Sequence, residues 1–387
     1  MQRIVPISFR FVALSLLLGA GCGSDGTGPS EFAGPGAAGW EVSAPADRGM
    51  DAVTLEEARR YAFDPGKNTQ GVVVVRNGVI VAEWYEEGRD PSSFASSWSV
   101  AKSFTGALIG IAIEDGLIEG LDVSMAEFLP SWRGTDKEAV RLRDVLSMAS
   151  GLEWTENYSP AAGPSDIITM IVGELDHLAY VASRPLQVPP GTRFRYSSGD
   201  TMLLSGVLES VTGGAAAQYA RERLFDPIGM APVDWWSDAS GQTATYCCID
   251  TPSRDFARFG LLYLRGGRWD GVEVVPKDWV EESTSPNEVT TGYGYQWWLT
   301  GRSRDGLPQD VYSARGHDGQ FIYVVPSLDL VVVRNGHYDK HPGPPVAAPS
   351  LWALLPSDGI IEGAGTVPPD SWNDEAFLAP ILASVVD

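Results

Sequence analysis

Ser99-Val100-Ala101-Lys102 sets a hydroxyl nucleophile and an amine one helical turn apart. A serine hydroxyl attacks a carbonyl only when a neighbouring base takes its proton, and a lysine held in apolar surroundings loses enough basicity to be that base. The surroundings here are apolar. Phe104, Leu108, Ile109, Ile111 and Ile113 cover nearly every face of the run that follows, so the helix opened by the motif should be buried. Residues three apart share a helix face, which brings the amine to the hydroxyl. The helix N-terminus adds positive potential that depresses the lysine pKa further and favours a developing oxyanion. Lysine is scarce, standing only at Lys67, Lys102, Lys137, Lys277 and Lys340, and Lys102 is the one inside an apolar stretch. The plainer alternative is a serine N-cap whose lysine reaches to the surface.

Two other polar segments stand against apolar elements. Phe194-Arg195-Tyr196-Ser197-Ser198-Gly199-Asp200 precedes a helical run from Thr201, with Asp200 as the expected N-cap. Gly316-His317-Asp318-Gly319-Gln320 leads directly into a strand over Phe321 to Val325. Other nucleophile systems lack support, because no Gly-x-Ser-x-Gly elbow occurs and the histidines are only His177, His317, His337 and His341. His337 and His341 follow an Arg334-Asn335-Gly336 turn and precede Pro342, a loop setting rather than a helix face, so no metal site and no cofactor are expected.

The elements that must position these residues are read from periodicity and turn signals. Thr54-Leu55-Glu56-Glu57 has capping-box spacing and opens a helix toward Phe63. Val72 to Val75, the turn Arg76-Asn77-Gly78 and Val79 to Tyr85 form a hairpin. A second hairpin joins Phe321 to Val325 with Leu328 to Val333, preceded by a strand at Tyr293 to Leu299. Between the hairpins the signals are helical: Ser99 to Asp115 before Gly116, Leu142 to Ser150 before Gly151, and Thr201 to Thr212 before Gly213. A last helix covers about Asn373 to Val385. The fold class is therefore α+β, one antiparallel sheet flanked by helices with an inserted helix-rich subdomain. Residues 50–118 and 290–387 would form the sheet-containing part and 119–289 the helical part of a single domain over 46–387.

Asp and Glu number 50 against 28 Lys and Arg, a formal net charge of -22, which repels phosphate backbones and argues against nucleic-acid partners. Of the three cysteines, Cys247 and Cys248 are neighbours, whose bridging strains the bond, so no disulfide framework is expected. Arg3, Arg10 and the apolar run from Phe11 to Leu18 read as a signal peptide over residues 1–21, too short to span a membrane as a mature helix. Small residues before Cys22 resemble a lipoprotein cleavage box, which makes Cys22 the expected lipid acceptor and the membrane a partner through that anchor, with plain secretion as the alternative. Gly, Pro, Ala and Ser then dominate a flexible tether over 22–45. The expected location is the cell envelope.

In order, Ser-x-x-Lys, Tyr-x-Ser and His-x-Gly resemble the class C β-lactamase and D-alanyl-D-alanine carboxypeptidase family of penicillin-recognising serine hydrolases. Leu146 to Leu152, Arg254 to Gly260 and Gly292 to Trp298 add to the likeness, which spans about residues 50 to 345. Trp98, Tyr158 and the Gly-His-Asp-Gly-Gln run look most similar to its 6-aminohexanoate-dimer hydrolase and esterase-like branch. The resemblance implies Ser99 as nucleophile, Lys102 and Tyr196 as proton carriers that titrate jointly, and an oxyanion hole from the backbone amides of Ser99 and Gln320. It makes Tyr158, Ser198, His317 and Gly319 substrate contacts. Ser198 stands where a β-lactamase has asparagine and His317 where it has lysine, and a histidine grips a substrate carboxylate less firmly than a permanent cation. The function expected is hydrolysis of a small ester or amide. The alternatives are a penicillin-binding carboxypeptidase or weak β-lactamase and, in another class, a lipoprotein that keeps the fold as a non-catalytic binding module.

Overall fold

The structure, a computed structural model, describes residue 35 and residues 39–158, 163–336 and 372–386. Five strands form its main sheet: β1 (Thr69–Arg76), β2 (Val79–Tyr85), β3 (Tyr312–Gly316), β4 (Gln320–Val325) and β5 (Leu330–Gly336). They lie in the order β2-β1-β5-β4-β3, and every pairing is antiparallel. The two hairpins are therefore brought edge to edge by β1 and β5, although their strands come from opposite ends of the chain. Asn77 and Gly78 both take positive φ, 53° and 79°, which suits the right-handed twist of the strands they connect.

Every residue of β1 and β5 is buried, because helices cover both faces. On one face Val72, Val74, Phe321, Tyr323 and Val332 pack with helices α1 (Ala52–Ala62) and α5 (Asp374–Ala383). On the other, Val73, Ile322, Val331 and Val333 meet α4 (Ser253–Leu264), and this core continues into α2 (Ala101–Glu114) and α3 (Ser198–Thr212). At Gly260 a Cβ would stand 2.6 Å from Val331 Cγ1 and 2.7 Å from Ile322 Cγ2, so α4 sits as close to the sheet as glycine alone allows.

The antiparallel sheet with flanking helices matches the expected class, while several local expectations give way. The third C-terminal strand is Tyr312–Gly316, not Tyr293 to Leu299. The latter segment makes only isolated bridges, because Gln296 turns to a φ of 65° in its middle. Asp51, rather than Thr54, caps α1, accepting from the Thr54 amide at 2.8 Å. The helix from Leu142 stops at Leu146, with Met148 at a φ of 58°. Cys247 and Cys248 are both buried, with their sulfurs side by side. No helix among the described residues is long and apolar enough to cross a membrane.

Candidate active site

Ser99 lies in a 3-10 turn, Trp98–Val100, that runs straight into α2. The turn is held from behind: the Ser97 amide donates to the Ile249 carbonyl at 2.8 Å and the Ile249 amide donates to Ser97 Oγ at 2.7 Å. Trp98 sits at a φ of 45°, a strained conformation for a bulky residue, immediately before Ser99. From Ala101 to Ala112 every residue of α2 is buried, so Lys102 does not reach solvent as the N-cap alternative requires. Lys102 Nζ stands 2.8 Å from Ser99 Oγ, and it also donates to Ser198 Oγ at 3.0 Å and the Tyr246 carbonyl at 2.9 Å. Burial lowers its pKa to about 8, opposed by the charge of Glu156.

Tyr196 precedes α3 and faces the same hydroxyl, its phenol in hydrogen-bonding reach of Ser99 and its ring centroid 5.1 Å from Lys102 Nζ. Trp298 packs on it at 5.4 Å between centroids and Tyr293 meets it edge-on at 6.3 Å. Trp298 is half-buried there, and its neighbour Trp297 is a core residue. A cation beside a phenol would lower the phenol pKa, but that is not the effect that wins here. Burial first, and the Glu156 charge second, push Tyr196 well above the ordinary tyrosine value. Opposite shifts on the two groups separate their roles: the amine is freed to accept a proton while the phenol holds its own.

Ser198 lies inside this network. Its hydroxyl is buried, donates to Glu156 Oε1 at 2.7 Å and accepts from Lys102. The helix N-cap is Ser197, whose Oγ accepts from the Asp200 amide at 2.9 Å. Asp200, expected in that place, is instead buried within the first turn of α3, where its carboxylate accepts from Ser150 Oγ at 2.7 Å and burial raises its pKa to about 7.

His317 has its ring between Trp98 at 5.6 Å and Tyr158 at 4.9 Å, with Nδ1 2.8 Å from Asp318 Oδ1. Gly319 has a structural task. It takes a φ of 74°, and the space a Cβ would need is filled by Arg334. Gln320 is buried at the start of β4, and its amide donates to the His317 carbonyl, closing the turn on itself. The second expected oxyanion donor is therefore engaged within the protein.

Three residues of the site escaped the sequence reading. Tyr246 supplies a carbonyl to Lys102 and sets its own hydroxyl 3.1 Å from His177 Nδ1, which makes His177 a buried structural residue. Arg334 carries the His317 turn. Glu156 gathers Ser198, Tyr158 and Trp154, and the one signal that pointed to it was a carboxylate set among aromatics in Trp154-Thr155-Glu156-Asn157-Tyr158. Arg254 pairs with Glu83, and Asp255 with Arg258. Cys22, His337 and His341 lie outside the described residues.

The comparisons agree with the geometry. The chain is similar to the 6-aminohexanoate-dimer hydrolase of Paenarthrobacter ureafaciens, 27% identical over 291 residues that cover 69% of this chain and 72% of the relative. It is similar also to penicillin-binding protein 4 of Amycolatopsis lactamdurans, 26% identical over 286 residues, 62% of this chain and 71% of the relative. Among solved structures, the class C β-lactamase of Rhodobacter sphaeroides shares the fold with a TM-score of 0.57 at 19% identity, covering 74% of this chain and 95% of that one. The Beta-lactamase family model matches residues 63–345, so this chain belongs to the β-lactamase family, whose members are serine hydrolases acting on amides and esters.

Proposed function

We propose that this chain is an exported hydrolase that cleaves a small ester or linear amide through an acyl-enzyme on Ser99. The observation that carries this reading is the buried Lys102 amine 2.8 Å from the Ser99 hydroxyl, with a pKa lowered to about 8 by that burial. Lys102 takes the hydroxyl proton as Ser99 Oγ bonds to the substrate carbonyl carbon. The negative charge on the substrate oxygen falls to the Ser99 amide, and to the Gln320 amide once its bond to the His317 carbonyl yields to the substrate. Tyr196, which holds its proton, gives it to the leaving oxygen or nitrogen and is reprotonated from Lys102. A water then enters, loses its proton to the same pair and releases the acid, which restores the Ser99 hydroxyl.

Esters and linear amides are favoured over β-lactams because His317 occupies the place of a permanent cation, and because Ser198 is occupied with Lys102 rather than the cleft. The 6-aminohexanoate-dimer hydrolase among the relatives supports a linear amide. The test is covalent. A fluorophosphonate probe should add to wild-type Ser99, identified by peptide mass, and Ser99→Ala should remain folded, unlabelled and without measurable ester hydrolysis. Ester hydrolysis within tenfold of wild type in Ser99→Ala would overturn the reading.

A further inference from the structure

Glu156 does not touch the nucleophile, yet its carboxylate takes four hydrogen bonds at the edge of the site. Oε2 accepts from the Ser198 amide at 2.6 Å and from the Trp154 indole at 2.8 Å, two groups that can only donate. Oε1 lies 2.7 Å from both Ser198 Oγ and Tyr158 Oη. A carboxylate offers acceptors only, so both hydroxyls turn their protons toward it.

That requirement travels inward. Ser198 has one hydroxyl proton, and with that proton on Glu156 its oxygen meets Lys102 Nζ, 3.0 Å away, as an acceptor. The Tyr246 carbonyl, 2.9 Å from the same nitrogen, is an acceptor by constitution. A neutral amine has two N–H bonds and one lone pair. With Ser198 and Tyr246 holding the two N–H bonds, the lone pair is left for the third contact, Ser99 Oγ at 2.8 Å.

We propose that Glu156 is a positioning residue for the general base: it fixes the direction of the Ser198 hydroxyl and so aims the Lys102 lone pair at Ser99. The proposal rests on the Ser99 and Lys102 chemistry above and adds a residue that acts without meeting the substrate. When the Ser99 O–H bond breaks and the new N–H bond forms, the resulting ammonium points three protons at the same three oxygens, so no group has to turn over during the transfer. The charge of Glu156 has a second consequence, since it is the carboxylate that opposes the effect of burial on Lys102. Among the described residues the amine is also faced by the phenols of Tyr196 and Tyr246, with centroids 5.1 and 5.8 Å away, and both are protonated near neutral pH because burial raises them.

Glu156→Gln tests the mechanism, because a carboxamide can donate to Ser198 Oγ and release the hydroxyl proton into the Lys102 lone pair. For a p-nitrophenyl ester, kcat should fall by at least about tenfold with KM within about twofold, and the acid limb of kcat/KM should move to lower pH. Ser198→Ala should lower kcat in the same way without that shift in the limb. Because both changes act through one hydroxyl, adding Glu156→Gln to Ser198→Ala should cost little further in kcat. Ser198→Ala removes only a hydroxyl and keeps the test open if the Glu156 variant does not fold. Unchanged kcat in Ser198→Ala, or losses that simply multiply in the double variant, would overturn the proposal. Failure of wild-type Ser99 to take the fluorophosphonate would remove the hydrolase reading itself, whereas labelled, active protein with unaffected variants removes only the role of Glu156.

Discussion

The guanidinium of Arg334 fills the space that a side chain at Gly319 would need, directly beneath the turn that presents His317. Nη1 donates to the Asp318 and Gly319 carbonyls at 2.8 and 2.7 Å, and Nη2 donates to Thr69 Oγ1 at 2.9 Å and to the Lys67 carbonyl. Burial lowers the Arg334 pKa to about 10, opposed by Tyr323 and Asp318, which leaves it a cation at neutral pH. One buried side chain therefore ties the His317 turn to the start of β1. Arg334→Met should lower unfolding stability by about 2 to 4 kcal/mol, since it strands several buried acceptors. Gly319→Ala should lose stability in the same direction and reduce kcat/KM, as measured by urea unfolding and ester hydrolysis. Full stability in both variants would contradict the brace.

The Lys102 pKa sets the expected pH dependence. The amine works as a base only when neutral, so kcat/KM should rise with pH through about 8 and level off above it. Lys102→Ala should abolish the limb together with the activity. The same shift acts on stability. With the folded value near 8 and the ordinary value 10.5, the unfolded chain binds more protons between those two points, and the contribution of this group to stability increases as pH rises across that window. A limb with its midpoint near the ordinary lysine value would show that the amine is not buried in solution.

Preference should follow His317. A β-lactam needs its carboxylate held while the ring opens, and a compact lysine cation holds it better than an imidazole tied to Asp318 at 2.8 Å. The kcat/KM for a p-nitrophenyl ester should exceed that for a chromogenic cephalosporin by at least about a hundredfold, about 2.7 kcal/mol of transition-state binding. His317→Lys should narrow the gap. Equal rates on the two substrates in the wild type would favour the β-lactamase alternative.

The N-terminal segment makes a separate prediction. In a native host, labelled palmitate should enter the full chain and be absent from Cys22→Ser, with the wild type in the membrane fraction. A soluble, unlabelled wild-type product would favour plain secretion.

Much of this site is legible in the sequence because its first step is local. Ser99 and Lys102 are three residues apart on an apolar helix, and helix geometry alone brings their side chains to one face. The Asn77-Gly78 hairpin is legible for the same reason, since a two-residue turn carries its own conformational requirement. The strand Tyr312-Ser313-Ala314-Arg315-Gly316 has no such mark. It is extended because β4 offers it an edge to pair with, and that edge exists only once the sheet has formed.

What the tertiary structure alone decided is what surrounds the Lys102 amine. The Tyr246 carbonyl reaches Lys102 from 144 residues away and the Ser198 hydroxyl from 96, and neither approach leaves a periodic trace in the chain. The direction of the Tyr196 shift was likewise beyond the sequence, because a neighbouring cation and burial push a phenol opposite ways and only the packing of Tyr293, Trp298 and Glu156 around it makes burial win. Residue types and short spacings determine which atoms can react. Desolvation and the orientation of shared protons depend on everything that surrounds those atoms, and folding brings those surroundings together from distant parts of the chain.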